Sequence, residues 1–177
     1  MKTSQILLIS LGPLLLCPMA NAALSGHIQA RLVISAACQI SNVPDDSPAG
    51  GGLGLLDFGT QGPSWARPLS ANLDHTGGSG TLQVSCNPSV RAFTVSINGG
   101  SNDANGVRRL RNGSELIPYQ LAADPSGAVR YGIGQQRNFS ISSAAQIPIP
   151  IYGAVVAHPR ALPAGIYRDT LMVTLDW

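Results

Sequence analysis

Few residues in this chain have the types and spacing that chemistry demands. Metal binding needs His, Cys or carboxylates gathered at ligand spacing. His27 lies in an alternating segment, His75 follows Asp74 ahead of Gly77-Gly78, and His158 precedes Pro159. No two share an element at ligand spacing, so all three read as solvated surface histidines. Acyl transfer needs a serine on a strained G-x-S-x-G turn. That pattern is absent, and a turn accounts for Gly78-Ser79-Gly80. Glycoside hydrolysis needs two carboxylates flanking a cleft. Glu115 is the only glutamate; Asp57 and Asp169 are the best candidates, and each is expected to fix backbone beside a strand. Nothing supplies a nucleophile, a base and an orienting group together. The chain is therefore expected not to be an enzyme and to need no metal or cofactor.

The densest basic cluster is Arg108-Arg109 with Arg111. A glycan, an anionic surface or a neighbouring subunit would suit it, but a solvated strand edge that discourages wrong pairing is the simpler reading. The chain has three cysteines, Cys17, Cys38 and Cys86. Cys17 lies in a leader. Lys2 begins that leader, Ile6 to Leu16 forms its apolar run, and Ala20-Asn21-Ala22 is a small-residue cleavage site. A lipoprotein signal would want a small residue where Leu16 stands. As a membrane span the run is too short and is broken by Gly12 and Pro13. Residues 1–22 are thus expected to be a signal peptide, and 177 less 22 leaves 155 residues for one domain.

With the leader gone, an exported chain with two cysteines is expected to close a Cys38–Cys86 disulfide. Free or metal-binding thiols would need His or Cys partners nearby, and there are none at ligand spacing. Removing Lys2 leaves ten arginines against nine acidic residues. So small a net charge gives no argument for nucleic acid or an anionic membrane. No later apolar run is long enough to cross a bilayer, so an integral membrane protein is not expected.

After the leader, the elements available to position these residues are strands. Apolar residues alternate at Ile28, Ala30, Leu32 and Ile34, at Leu82 and Val84, and at Phe93, Val95 and Ile97. They alternate again at Leu171, Val173, Leu175 and Trp177. Weaker strands are expected at Leu55 to Phe58, Ile117 to Leu121, Phe139 to Ile141 and Ile147 to Val156, the last with Pro148 and Pro150 at an edge or bulge. Val43 to Gly54 and Gly99 to Gly106 read as loops. About seven short strands with frequent turns predict an immunoglobulin-like sandwich; a closed barrel gives the same alternation. Tyr167 suits a tyrosine corner, its hydroxyl on nearby backbone. Trp65 could lie at the surface or in the core.

Both ends are unusual. The first alternating run starts within six residues of the cleavage site, and the last runs to Trp177 with no polar tail. An apolar strand with an open edge invites another chain to add a strand. Together the two ends fit a molecule that donates a strand its neighbour lacks.

Ordered pieces of the chain match a known family. They are Ile34-Ser35-Ala36-Ala37-Cys38, Leu56-Asp57-Phe58-Gly59, Val84-Ser85-Cys86, and Phe93 through Gly100 with its Asn98-Gly99-Gly100 turn. Then come Arg109-Leu110-Arg111-Asn112-Gly113, Pro118-Tyr119-Gln120-Leu121, Ile151-Tyr152-Gly153, and Gly165-Ile166-Tyr167-Arg168-Asp169-Thr170-Leu171 through Trp177. In these the chain resembles the spore coat protein U family, which contains the secreted pilins of archaic chaperone–usher fimbriae. It departs from the family at Ala122, where an aromatic is common, and at Tyr131-Gly132, where the family has Trp-Gly.

The resemblance implies an all-β, incomplete immunoglobulin-like sandwich lacking its last strand, over residues 37–177, behind an N-terminal donor strand at 23–36. It implies that Ile28, Ala30, Leu32 and Ile34 enter pockets on the neighbouring subunit. A periplasmic chaperone would fill the groove first, and an outer-membrane usher would catalyse the exchange. The product would be a surface fimbrium serving adhesion or biofilm formation. The rival reading is a single-domain carbohydrate- or surface-binding adhesin, which exposed aromatics near Trp65 or Tyr131 would favour.

Overall fold

The computed structural model describes residues 29–41, 52–75, 78–142 and 146–177, apart from the side chains of Ser41, His75 and Ser79. The chain separates into two units, Met1–Ile34 and Ser35–Trp177. The second is all-β, and the described residues contain no helix. Its strands are β1 (Cys38–Ser41), β2 (Leu55–Leu56), β3 (Leu69–His75), β4 (Gly78–Ser79), β5 (Thr81–Cys86) and β6 (Ala92–Ile97). They continue with β7 (Arg108–Asn112), β8 (Glu115–Ala122), β9 (Arg137–Ser140), β10 (Ile147–Pro150), β11 (Tyr152–Val155) and β12 (Val173–Asp176). All the strand pairings are antiparallel, in three sheets: β1-β5-β10, β2-β3-β11-β8-β7 with β4 beside β3, and β12-β6-β9.

Period-two alternation decides what is buried. Leu82 and Val84 of β5, Phe93, Val95 and Ile97 of β6, and Ile117, Tyr119 and Leu121 of β8 all point into one core. Each such side chain gains roughly 1.5–3 kcal/mol on leaving water. Phe93 and Phe139 sit opposite each other in the β6–β9 ladder, rings stacked at 5.4 Å. Strand β3 has the same pattern, with Ala71 and Leu73 buried between exposed Ser70, Asn72 and Asp74.

The sheets are joined by strands that change partner in step. The expected strand from Ile147 to Val156 divides at Ile151: β10 pairs with β5, while β11 pairs with β3 and β8. Opposite it, β4, which pairs with β3, passes into β5, which pairs with β10, at Gly80, whose φ is 84°. Ile151 N–H donates to the Gly80 carbonyl at 3.0 Å, and Leu73 N–H donates to the Ile151 carbonyl at 3.0 Å. Two neighbouring strands thereby turn the same corner together, which is how a sandwich passes a strand between layers.

Sulfur joins this scaffold where expected. Cys38 and Cys86 face each other across the β1–β5 ladder and form a disulfide. The loop at Gly99 to Gly106 is a turn region, whereas most of the expected Val43 to Gly54 loop lies outside the described residues.

Candidate functional site

An open groove runs between two irregular segments of the second unit. One wall is Leu55 to Trp65. Gly59 N–H donates to Asp57 Oδ1 at 2.8 Å, which turns the chain. Phe58 then lies on the Gly153 backbone: a Cβ at Gly153 would come within 2.8 Å of the Phe58 ring. The other wall is Leu162 to Arg168. Tyr167 makes the expected corner, its hydroxyl donating to the Pro163 carbonyl at 3.0 Å. Arg168 and Arg111 exchange backbone hydrogen bonds at 3.0 and 2.9 Å, fixing this wall beside β7. Leu162 N–H reaches the Pro63 carbonyl at 2.9 Å and joins the two walls. Between them Leu69, Leu110, Ile117 and Val155 line a cavity of about 790 Å³. Leu55 and Ile166 stand exposed at its rim.

The strand that continues from the second wall is open. Among the described residues β12 pairs with β6 alone, and β1 pairs with β5 alone. Burial shows the consequence. Val173 and Leu175 are only half-buried, while their β6 partners Ile97 and Val95 are fully buried. Likewise Cys38 and Ile40 are half-buried beside buried Leu82 and Val84. Both edges therefore offer free backbone groups next to incompletely covered apolar side chains, the combination that accepts an added strand.

The expected donor residues lie largely in the first unit's described tail. Residues 29–37 carry no strand, and Ala30 is exposed. Leu32 and Ile34 are 83% and 75% exposed. Ile28 lies outside the described residues.

A cluster beneath the last wall anchors it. The Asp169 carboxylate accepts the Tyr119 hydroxyl at 2.7 Å, Asn102 N–H at 3.1 Å and Asn102 Nδ2 at 3.1 Å. Gly100 packs so closely here that any Cβ would overlap the carboxylate, and its φ of 86° also favours glycine. Burial, then the bond to Asp169, pushes the Tyr119 phenol far above its ordinary value. Asp169 thus has the expected structural role, as does Asp57.

Arg108 corrects the solvated reading of the basic cluster. It is 4% exposed, and its guanidinium donates to the carbonyls of Asn98 at 2.8 Å, Tyr131 at 2.7 Å and Ile97 at 2.9 Å. Only a fork of rigid donors satisfies three carbonyls at once. Arg109 is half-buried, and Arg111 is exposed as expected. His158 is also less solvated than expected: half-buried, its ring stands 5.4 Å from that of Trp65. His27 and the His75 side chain lie outside the described residues. Neither aromatic of the rival reading is freely exposed. Trp65 is half-buried with its indole N–H on the Val156 carbonyl at 2.9 Å, and Tyr131 is buried. Among the described residues no group of three or more His, Cys, Asp or Glu could hold a metal ion. None of them forms a helix long and apolar enough to cross a membrane.

Comparison with known families decides the class: the Spore Coat Protein U domain model matches residues 24–174. The chain belongs to the spore coat protein U family. The groove walls, both open edges and the Asp169 cluster fall almost wholly within the matched spore coat protein U domain. Among solved structures, the chain is similar to one in the crystal structure of the CsuC–CsuE chaperone–tip adhesion subunit pre-assembly complex, from the archaic chaperone–usher Csu pili of Acinetobacter baumannii. The TM-score is 0.52 at 20% identity, and the match covers 81% of this chain and 40% of that one. That likeness is one of fold, and this spore coat protein U chain spans two fifths of the longer chain. No curated protein matches it significantly.

Proposed function

We propose that this chain is a non-catalytic structural subunit of a chaperone–usher pilus, assembled by donor-strand complementation. The observations that carry the reading are the free edge of β12 with its half-buried Val173 and Leu175, and an apolar groove whose wall Leu162–Arg168 leads into that strand, in a chain that also has an exposed, apolar leading segment. After loss of residues 1–22, residues 23–36 of one subunit lie along the open edge of the next. Ile28, Ala30, Leu32 and Ile34 point inward because every second side chain of an added strand faces one way. From Ile28 to Ile34 the strand runs about 20 Å. Burying Ile28, Leu32 and Ile34 supplies on the order of 5–9 kcal/mol before the entropy of ordering the strand is subtracted.

Until a neighbour arrives, the groove needs a temporary occupant, and a periplasmic chaperone has that role. An outer-membrane usher then exchanges chaperone for subunit, and the fibre emerges on the cell surface to serve adhesion or biofilm formation. Family membership and the fold-level likeness to a chain from a chaperone–subunit complex support this assignment.

The test replaces Leu32 or Ile34 with Asp. Each variant is expected to co-purify with its chaperone as soluble protein and to form no fibres, because a carboxylate cannot enter an apolar pocket without a partner. Normal fibres from both variants, seen by electron microscopy, would reject the assignment.

A further inference from the structure

The opposite face of the β3-β11-β8 sheet carries a second pocket, of about 330 Å³. The register sets its residues in two rows. Asn72 lies opposite Tyr152, Tyr152 opposite Ala122, and Ala122 is bridged to Arg130. In the next row Ser70 lies opposite Ala154, and Ala154 opposite Gln120. Side chains two apart on a strand share a face, so both rows point the same way. Alanines at the centre of each row make the floor, and Gly80 keeps one side open near the Tyr152 hydroxyl.

Among the described residues, the side chains of Asn72, Gln120, Arg130 and Tyr152 have no hydrogen-bond or ion-pair partner. These four polar side chains line one hollow, Tyr152 half-buried and Asn72, Gln120 and Arg130 exposed, so each is open to a ligand's hydroxyls. Asp124 also lines it, but its carboxylate is committed to the loop above, accepting Ser126 N–H at 3.0 Å, Ala128 N–H at 3.2 Å, Val129 N–H at 2.6 Å and the Ser126 hydroxyl. Its charge offsets that of Arg130, so the pocket favours no net charge on its ligand. Carboxamides both donate and accept, as sugar hydroxyls do. Half-buried Tyr152 offers an apolar ring for the C–H face of a sugar.

We infer that this pocket binds a single neutral pyranose. The volume lies at the small end for ligand sites and suits one ring. The inference does not depend on the assembly reading, since the pocket is on the other face from the groove.

The test is saturation-transfer NMR on the purified full chain with methyl α-glucopyranoside, methyl α-mannopyranoside and methyl β-galactopyranoside. Affinity near ~1 mM is expected for so few contacts. Transfer to at least one glycoside is expected. It should fall at least about tenfold in the Asn72→Ala, Gln120→Ala double variant and in Ala154→Leu, which fills the floor. Melting temperature and fibre formation are measured alongside and should not change. Arg130→Gln, at an exposed rim position, serves instead if either variant melts early. Absence of transfer from all three glycosides overturns the inference, as does transfer that survives Ala154→Leu. Tighter binding of glucuronate than of every neutral glycoside would overturn the assignment to a neutral ligand.

Discussion

Arg108 has the strictest demands of any described residue. Its guanidinium donates to the carbonyls of Asn98, Tyr131 and Ile97, the last of which also accepts the Gly134 N–H. Replacing it with Met is expected to cost about 3 kcal/mol, because hydrogen bonds to a charged group are lost and acceptors are left unfilled. Arg111→Met, at an exposed position, should stay within about 0.5 kcal/mol. Urea unfolding of the two variants checks the contrast. Nothing in the sequence marks this difference. Arg108 and Arg111 occur in one basic run, and the partners of Arg108 are backbone carbonyls, which have no sequence signature. Asp169 was easier to read, since a carboxylate between a turn and a strand usually serves nearby backbone. Asp124 gives a pH test. Its bonds to Ser126, with Val129 and the other loop amides, hold its carboxyl down at about 2 from an ordinary 3.8. A depressed carboxyl stabilises above its unfolded value and loses that contribution as pH falls through its folded one. The 124–129 loop should therefore keep its structure at pH 4 and lose it only as pH approaches about 2, followed by the Val129 amide resonance.

At the scale of elements, alternation identified β5, β6, β8 and β12 from their own residues. The same alternation runs through Leu69, Ala71 and Leu73, yet β3 was not among the strands expected from the sequence. The division of Ile147 to Val156 was not legible. Partner exchange at Ile151 depends on Gly80 lying opposite, a long-range pairing that no local pattern encodes. The disulfide was legible once the expected leader, and Cys17 with it, was set aside and two cysteines of an exported chain remained. Its closure of 48 residues gives about 4 kcal/mol in the chain-entropy model. Replacing Cys38 and Cys86 with Ser should therefore lower stability by up to about 4 kcal/mol in urea, with the all-β circular dichroism spectrum retained.

For the whole molecule, the donor-strand proposal makes its own prediction. Moving residues 23–36 from the front of the chain to a flexible linker after Trp177 should let the donor strand fill its own groove. That variant is expected to be a monomer by light scattering, to form no fibres and to melt well above the unmodified subunit measured without a partner. Continued polymerisation would mean that the groove accepts something else. The groove itself was only half legible. The strand at β12 was foreseen from the alternation of Leu171, Val173 and Leu175, while its open edge shows only in its pairing with β6 alone among the described residues. Of the walls, the strand at Leu55 and the Tyr167 corner were expected, but not that Leu55–Trp65 and Leu162–Arg168 face each other, since they meet through single bonds such as Leu162 N–H to the Pro63 carbonyl.

The Cys38–Cys86 bond joins the first residue of β1 to the last residue of β5, the middle strand of its sheet. Tension arriving along the leading segment meets the Asn87 N–H bond to the Ala37 carbonyl and then Cys38, ahead of the rest of the β1 ladder. It then crosses one covalent link into β5, so β1 cannot be peeled open a rung at a time. Each joint of a filament built this way would bear load like a riveted seam in oxidising surroundings, and would stretch far sooner once its sulfurs were reduced.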